Sequence, residues 1–144
     1  MERVFLGIGT NLGDKERNIL KTYDFIEKNV GRIHSRSSIY KTKPWGFHSE
    51  NEFLNTVICV ETELSPRQLL AETQRIERLM GRTSKSRGGE YHDRVIDIDI
   101  LLYGNEIINE PDLVIPHPLM KEREFVMKPL LEIKNEELRM KNEE

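Results

Sequence analysis

Two aspartates one residue apart, Asp97 and Asp99, stand inside the apolar run Arg94-Val-Ile-Asp-Ile-Asp-Ile-Leu-Leu102. In an extended segment alternate side chains share a face, so Ile96, Ile98, Ile100 and Leu102 line one side and both carboxylates the other. Their α-carbons then lie roughly 6–7 Å apart, twice the rise per residue. Parallel carboxylates in an apolar strand repel each other and lose hydration unless a cation neutralises them. Hard oxygen donors favour Mg²⁺, which takes one or two carboxylates together with the phosphates of a substrate. By itself the Asp-x-Asp pattern is equally compatible with two acids facing solvent from an edge strand. Nearby cations favour the metal reading. Arg82, Lys85, Arg87, His92 and Arg94 fall within thirteen positions of a chain with an excess of acids. Guanidiniums pair with phosphate oxygens, and phosphoryl transfer depends chiefly on positioning and charge neutralisation. A solvated charge run is the alternative for Lys85 and Arg87, and a structural salt bridge for Arg94.

Gly7-Ile-Gly-Thr-Asn-Leu-Gly13 falls between a strand pattern and a helix pattern. Its third glycine comes one residue late for a dinucleotide fingerprint, and no strand ending in an acid follows at the required distance. A Gly-Lys-Ser/Thr phosphate loop is absent as well, so a nucleotide here has to be held by side chains. The glycines fit either close approach of backbone to a flat ligand or a plain strand-to-helix turn.

The elements that must hold these residues are readable from periodicity. Val4, Leu6 and Ile8 alternate in a strand over 3–9. Asp14 caps a helix whose Ile19, Tyr23, Ile26 and Val30 recur at helical spacing, and Gly31 is expected at its left-handed C-terminal position. Two β-rich runs, 33–42 and 53–62, flank a loop over 43–51 that is rich in aromatics. A helix over 66–80 starts with a Ser65/Gln68 capping box and Pro66, buries Leu69, Ile76 and Met80, and stops at Gly81. The basic stretch 82–93 has no periodicity and reads as a mobile loop. A strand over 95–103 turns at Gly104-Asn105 into a short partner at 106–109; a short helix around 118–124 and an apolar run to Ile133 follow. This order predicts one α+β domain over 1–144, ferredoxin-like, with a largely antiparallel sheet and helices packed on one or both faces.

Composition narrows the function classes. A length of 144 residues supports one core. A net charge of −3 gives no general attraction to nucleic acid or to an anionic membrane, so neither is expected as a partner. Cys59 is the single cysteine and lies in the apolar run Thr56-Val-Ile-Cys-Val60, which indicates a buried thiol and excludes a disulfide framework. With no signal-like segment and no apolar run long enough to span a bilayer, the expected location is the cytoplasm.

Beyond these residue-level readings, a string of ordered motifs resembles the 6-hydroxymethyl-7,8-dihydropterin pyrophosphokinase family. The matching motifs are Gly9-Thr-Asn-Leu-Gly13, Tyr40-Lys-Thr-Lys-Pro44, Phe53-Leu-Asn55, Thr73-Gln-Arg-Ile-Glu-Arg78, Gly81-Arg82, the Arg94 to Gly104 segment, Ile115-Pro-His-Pro118 and Arg123-Glu-Phe125. The resemblance runs from about residue 4 to residue 133. It implies transfer of pyrophosphate from ATP to 6-hydroxymethyl-7,8-dihydropterin in folate biosynthesis, with attack of the hydroxymethyl oxygen on the β-phosphorus and departure of AMP. It assigns two Mg²⁺ ions to Asp97 and Asp99 and adds Arg82 and Arg94 to the catalytic set. On the ATP side it implies Gln74, Glu77, Arg82, Arg94, Ile100, His117 and Arg123. For the pterin it implies Gly9, Thr42, Lys43, Trp45, Phe53, Asn55 and Phe125. A flat heteroaromatic with an amide-like edge suits two aromatic faces and an asparagine, although phenylalanines are ordinarily core residues. Likewise Asn55 could simply end a strand, and His117 satisfy a loop carbonyl.

The chain departs from the family pattern at Ser84 and Tyr91, where arginine and tryptophan are usual, and at Phe53, where tyrosine is usual. The basic loop is also about two residues longer, and Asp112, Val114 and Pro118 are not carried over. No side chain presents itself as a general base, and loop 82–93 is expected to close over the triphosphate. The expected state is a monomer with small-molecule substrates. The rival readings are a glycosyl- or nucleotidyltransferase, which also uses Asp-x-Asp, and a non-catalytic ferredoxin-like binding module.

Overall fold

The computed structural model describes the backbone of residues 1–42, 52–81 and 95–143, and side chains in these segments as far as residue 135. In chain order the elements are β1 (Glu2–Thr10), α1 (Lys15–Asn29), β2 (Gly31–Arg36), β3 (Tyr40–Thr42), β4 (Phe53–Thr62), α2 (Pro66–Leu79), β5 (Asp97–Tyr103), β6 (Ile108–Glu110), β7 (Leu113–Ile115) and α3 (Glu124–Glu143), the last preceded by one 3₁₀ turn at Met120–Glu122. The main sheet runs β2-β4-β1-β5, with β3 added to β4, and all its pairings are antiparallel. Strand–helix–strand occurs twice in that order, which is the ferredoxin-like arrangement the sequence predicts.

Local chemistry accounts for most of the boundaries. The Asp14 side chain accepts the Arg17 N–H at 3.2 Å and starts α1. At α2 the capping box is complete: Ser65 Oγ accepts the Gln68 N–H at 3.2 Å and Gln68 Oε1 accepts the Ser65 N–H at 2.9 Å. Gly81, at φ +99°, takes the left-handed conformation that ends this helix cheaply. Gly31 behaves differently from its expected role. It opens β2 without a positive φ, and a Cβ built on it would lie 1.9 Å from the Glu61 carbonyl oxygen. Its hydrogen side chain lets β2 approach β4.

Each face of the sheet carries its own apolar layer. Val4, Leu6 and Ile8 of β1, Ile58 and Val60 of β4, and Ile98 and Ile100 of β5 pack under Ile19, Tyr23 and Ile26 of α1 and Leu69 and Ile76 of α2. On the opposite face Val57, Cys59 and Leu101 meet Met120 and the Val126, Leu130 and Ile133 side chains of α3. Cys59 is thus a fully buried thiol. Among the described residues no helix is long and apolar enough to cross a membrane.

Besides Gly31, three expectations need correction. The apolar run to Ile133 is itself helical: α3 begins at Glu124 and continues past Pro129, while the short helix expected around 118–124 is present only as the 3₁₀ turn at Met120–Glu122. The residues after Gly104-Asn105 do not return along β5; β6 pairs with β7 in a separate hairpin. The face assignment fails at Leu102, because Phe5 and Leu6 of β1 oppose Leu102 and Ile100, leaving Leu101 as an extra residue in a bulge. After it the alternation is reset, and Leu102 joins Leu101 on the α3 side while Tyr103 faces α1 and α2.

Candidate functional site

The register of β1 determines the site. Gly9 lies opposite Asp97 of β5 on one side and Asn55 of β4 on the other, and Gly7 lies between Asp99 and Val57. Directly opposed residues on antiparallel strands project to the same face, so both acids stand beside positions that carry no side chain. The result is a cleft floored by Gly7 and Gly9 on the α3 side of the sheet, about 540 Å³ including its open mouth. Asp97 and Asp99 bound it on one flank, Thr42, Phe53 and Asn55 on the other, and Arg123, Phe125 and Val126 at the start of α3. A size of a few hundred cubic ångströms suits one small ligand.

Side-chain contacts fix the polar and aromatic parts of this cleft. Asn55 Nδ2 donates to Thr42 Oγ1 at 2.9 Å, which turns Oδ1 toward the floor; an added Cβ on Gly9 would lie 2.9 Å from that oxygen. The Arg123 guanidinium lies 5.9 Å from the centre of the Phe125 ring. The residue is only 6% exposed, and burial pulls its pKa below the ordinary guanidinium range to about 10, so it remains a cation near neutral pH. A buried cation at the cleft wall gains most from an anionic ligand. Farther along α3, Glu132 Oε1 accepts the Tyr40 hydroxyl at 2.7 Å, and Oε2 accepts the Ser38 N–H at 2.8 Å and its hydroxyl at 3.2 Å. This clamp fastens α3 to the segment that carries Thr42.

Around the acids, His117 follows the cis Ile115–Pro116 bond, and its backbone N–H donates to Leu101 O at 3.1 Å. Its Nδ1 accepts the Leu119 N–H at 3.4 Å, so the neutral ring carries its proton on Nε2, which faces Asp99 Oδ1 at 3.8 Å. The Glu77 carboxylate, 3% exposed, accepts the Ile98 N–H at 2.8 Å. Gln74 lies half-buried on α2, outside the lining of the cleft. The Ile100 side chain is in the core beneath α1 and α2, on the face opposite the acids, so only its backbone can meet a ligand. Arg82, Arg94, Lys43 and Trp45, along with the expected closure of loop 82–93, lie outside the described residues.

The structure thus gathers Asp97, Asp99, Gly9, Thr42, Phe53, Asn55, Arg123 and Phe125 around one cleft, with His117 adjoining through Asp99. The sequence reading left out Val57 and Val126 as lining residues and the Tyr40–Glu132 clamp. Spacing alone carries no signal for the clamp, whose partners are 92 residues apart.

The donor set bears on which cation belongs here. Among the described residues no group of three or more His, Cys, Asp or Glu side chains could enclose a metal. Two carboxylates in an open cleft cannot saturate a transition-metal site, but they suit Mg²⁺, whose remaining positions go to water and phosphate oxygens. A carboxylate pair that would leave a cation half-coordinated, beside a slot for a flat ligand, is suited to moving a phosphate-bearing group, and by fold and site the chain falls among the small-molecule transferases. Comparison with known proteins gives the particular kind. Residues 5–135 match the family described as 7,8-dihydro-6-hydroxymethylpterin-pyrophosphokinase. The chain is 46% identical over 134 residues to the 2-amino-4-hydroxy-6-hydroxymethyldihydropteridine pyrophosphokinase of Porphyromonas gingivalis, covering 92% of this chain and 91% of that one. It is 45% identical over 130 residues to a folic acid synthesis protein of Dictyostelium discoideum, covering 90% of this chain and 19% of that one. Among solved structures, a Plasmodium falciparum HPPK-DHPS chain superposes with a TM-score of 0.69 at 19% identity, over 88% of this chain and 40% of that longer one. The present chain therefore belongs to the 7,8-dihydro-6-hydroxymethylpterin-pyrophosphokinase family, whose activity is pyrophosphate transfer to a hydroxymethyldihydropterin in folate synthesis.

Proposed function

We propose that this chain moves the pyrophosphoryl group of ATP to 6-hydroxymethyl-7,8-dihydropterin in the cleft above Gly7 and Gly9, with Mg²⁺ held by Asp97 and Asp99. One observation carries the reading: the register that sets each acid beside a glycine also puts Asn55 and Phe53 across the same floor. A flat ring can therefore lie against backbone within reach of the acids. Phe53 and Phe125 supply its aromatic faces, and the Asn55 amide, held by Thr42, meets its polar edge. The four carboxylate oxygens of Asp97 and Asp99 suffice for two Mg²⁺ ions, which when bound neutralise the charge on the phosphate oxygens. His117 sets its Nε2 edge 3.8 Å from Asp99, and Arg123 adds positive charge to the cleft wall.

The transfer forms a bond between the hydroxymethyl oxygen and the β-phosphorus and breaks the bond from that phosphorus to the oxygen bridging to the α-phosphate. AMP leaves, and the hydroxymethyl proton is released. The chain's own part is to hold acceptor and phosphates in line, exclude water from the slot and offset charge. Incubation with ATP, Mg²⁺ and the reduced pterin yields AMP and the pterin diphosphate in equal amounts. Formation of ADP, or nucleotide turnover that ignores the pterin, would reject the proposal.

A further inference from the structure

We infer that Glu77 is a positioning residue that sets the mutual direction of Asp97 and Asp99 by holding the backbone amide between them. The inference rests on the reading of those two acids as Mg²⁺ ligands. Strand β5 is an edge of the main sheet. In an antiparallel ladder every second residue turns its N–H away from the neighbouring strand, and at an edge that donor needs another acceptor. The Ile98 N–H is such a donor, and it is buried. The acceptor is Glu77 Oε2, at 2.8 Å, on the last turn of α2.

A carboxylate that is 3% exposed is costly to bury, and a helix face packed on β5 could accommodate an apolar side chain at this position. An apolar replacement would take this acceptor away from the Ile98 N–H. The bonded peptide joins Asp97 to Ile98, and rotating it swings the two flanking carboxylates relative to one another. A charge-assisted hydrogen bond at this point resists that rotation. Glu77 faces the backbone of β5 from the α2 side, whereas the cleft opens on the α3 side. The structure thus assigns to β5 a residue that family resemblance alone would put against the nucleotide.

The test compares the full chain with Glu77→Leu and Glu77→Gln in two measurements. Amide hydrogen exchange by NMR reads Ile98 directly, with Ile58 of central β4 as an internal control. Electron paramagnetic resonance reads Mn²⁺ binding in the presence of α,β-methylene-ATP. For Glu77→Leu the Ile98 amide exchanges at least about tenfold faster while Ile58 is unchanged, and Mn²⁺ affinity falls by about 10–100-fold, as for other residues that orient metal ligands. Glu77→Gln retains an acceptor oxygen and stays within about fivefold of the parent in both readouts. Unchanged Ile98 exchange or unchanged Mn²⁺ affinity in Glu77→Leu overturns the inference. So does a loss of metal-free analogue binding with intact Mn²⁺ affinity, which would make Glu77 a nucleotide ligand. If Glu77→Leu does not fold, Glu77→Gln decides, and loss of both readouts in that variant overturns the proposal. Absence of Mn²⁺ binding in the parent would instead reject the metal reading, leaving Ile98 exchange to judge Glu77.

Discussion

Gly9→Ala tests whether the cleft depends on an absent side chain. The added Cβ lies 2.9 Å from Asn55 Oδ1 and 3.8 Å from Phe53 Cδ1, so the first contact is about half an ångström too short and the second is ordinary. The asparagine has to turn its oxygen away from the methyl, which carries Nδ2 with it and breaks the 2.9 Å bond to Thr42. Losing that hydrogen bond costs about 1 kcal/mol, and misdirecting the amide from the ligand edge about as much again. Together these correspond to roughly a thirtyfold rise in the pterin KM. Global stability changes little, because replacing glycine by alanine within a strand recovers roughly 0.5–1 kcal/mol. The assay is AMP release at saturating ATP with varied pterin, alongside thermal unfolding. In an Asn55→Ala background the same substitution has no amide to displace, so its additional cost falls to a small fraction. A pterin KM within twofold of the parent, or an equal penalty in both backgrounds, would refute the reasoning.

On the proposed metal role, Asp97→Asn and Asp99→Asn each remove a charge that the cation needs, so turnover falls by at least about a hundredfold while the unfolding midpoint holds; near-normal rates at saturating Mg²⁺ would exclude the assignment. Gly31→Ala drives a Cβ into the Glu61 carbonyl, a backbone atom that cannot rotate away, and destabilises the fold by about 1–3 kcal/mol in urea titrations with little effect on pterin KM. For the α3 clamp, burial pushes the Glu132 carboxyl up, but hydrogen bonds from Tyr40 and Ser38 outweigh it and hold the pKa below the ordinary 4.5. A lowered pKa contributes stability that is fully present above 4.5 and is lost as pH falls through the folded value. The stability gap between parent and Glu132→Gln therefore narrows in acid, and a gap independent of pH would contradict this.

How much was legible in the sequence depended on how local each cause was. Strand β4 and helix α2 were readable because alternation, a capping box and a stop glycine act within a few residues. The shared face of Asp97 and Asp99 follows from local alternation too. The failure at Leu102 has a different origin: the bulge at Leu101 is a relation between β5 and β1, and one strand alone does not encode it. Gly31 misled for the same reason, since its role is to admit a carbonyl 30 residues away rather than to adopt a positive φ. Helix α3 was obscured by Pro129, which cannot donate a backbone hydrogen bond. Packing of Val126, Leu130 and Ile133 on β4 and β5 outweighs that loss.

The same distinction explains why the site lies at one end of the sheet. On the α1–α2 face, β1 contributes Val4, Leu6 and Ile8, and the space fills. On the α3 face it contributes Phe5, then Gly7, then Gly9, so side-chain volume falls away toward the C-terminal end of the strand. Leu101 occupies part of the space above Gly7, coming within 3.4 Å of where a Cβ would be, whereas among the described residues a Cβ at Gly9 meets Asn55 and Phe53. The cleft is therefore a gap in an otherwise packed layer, produced by omitting two side chains, and needs no separation of sheet from helix. A site made in this way has a rigid floor of hydrogen-bonded backbone. The acids of β5 and the Asn55 and Phe53 side chains of β4 are held at a spacing set by two strand-to-strand steps, about 9–10 Å. Enlarging residue 9 should therefore weaken the acceptor site while leaving that spacing intact, whereas perturbing the edge of β5 should disturb the acids alone.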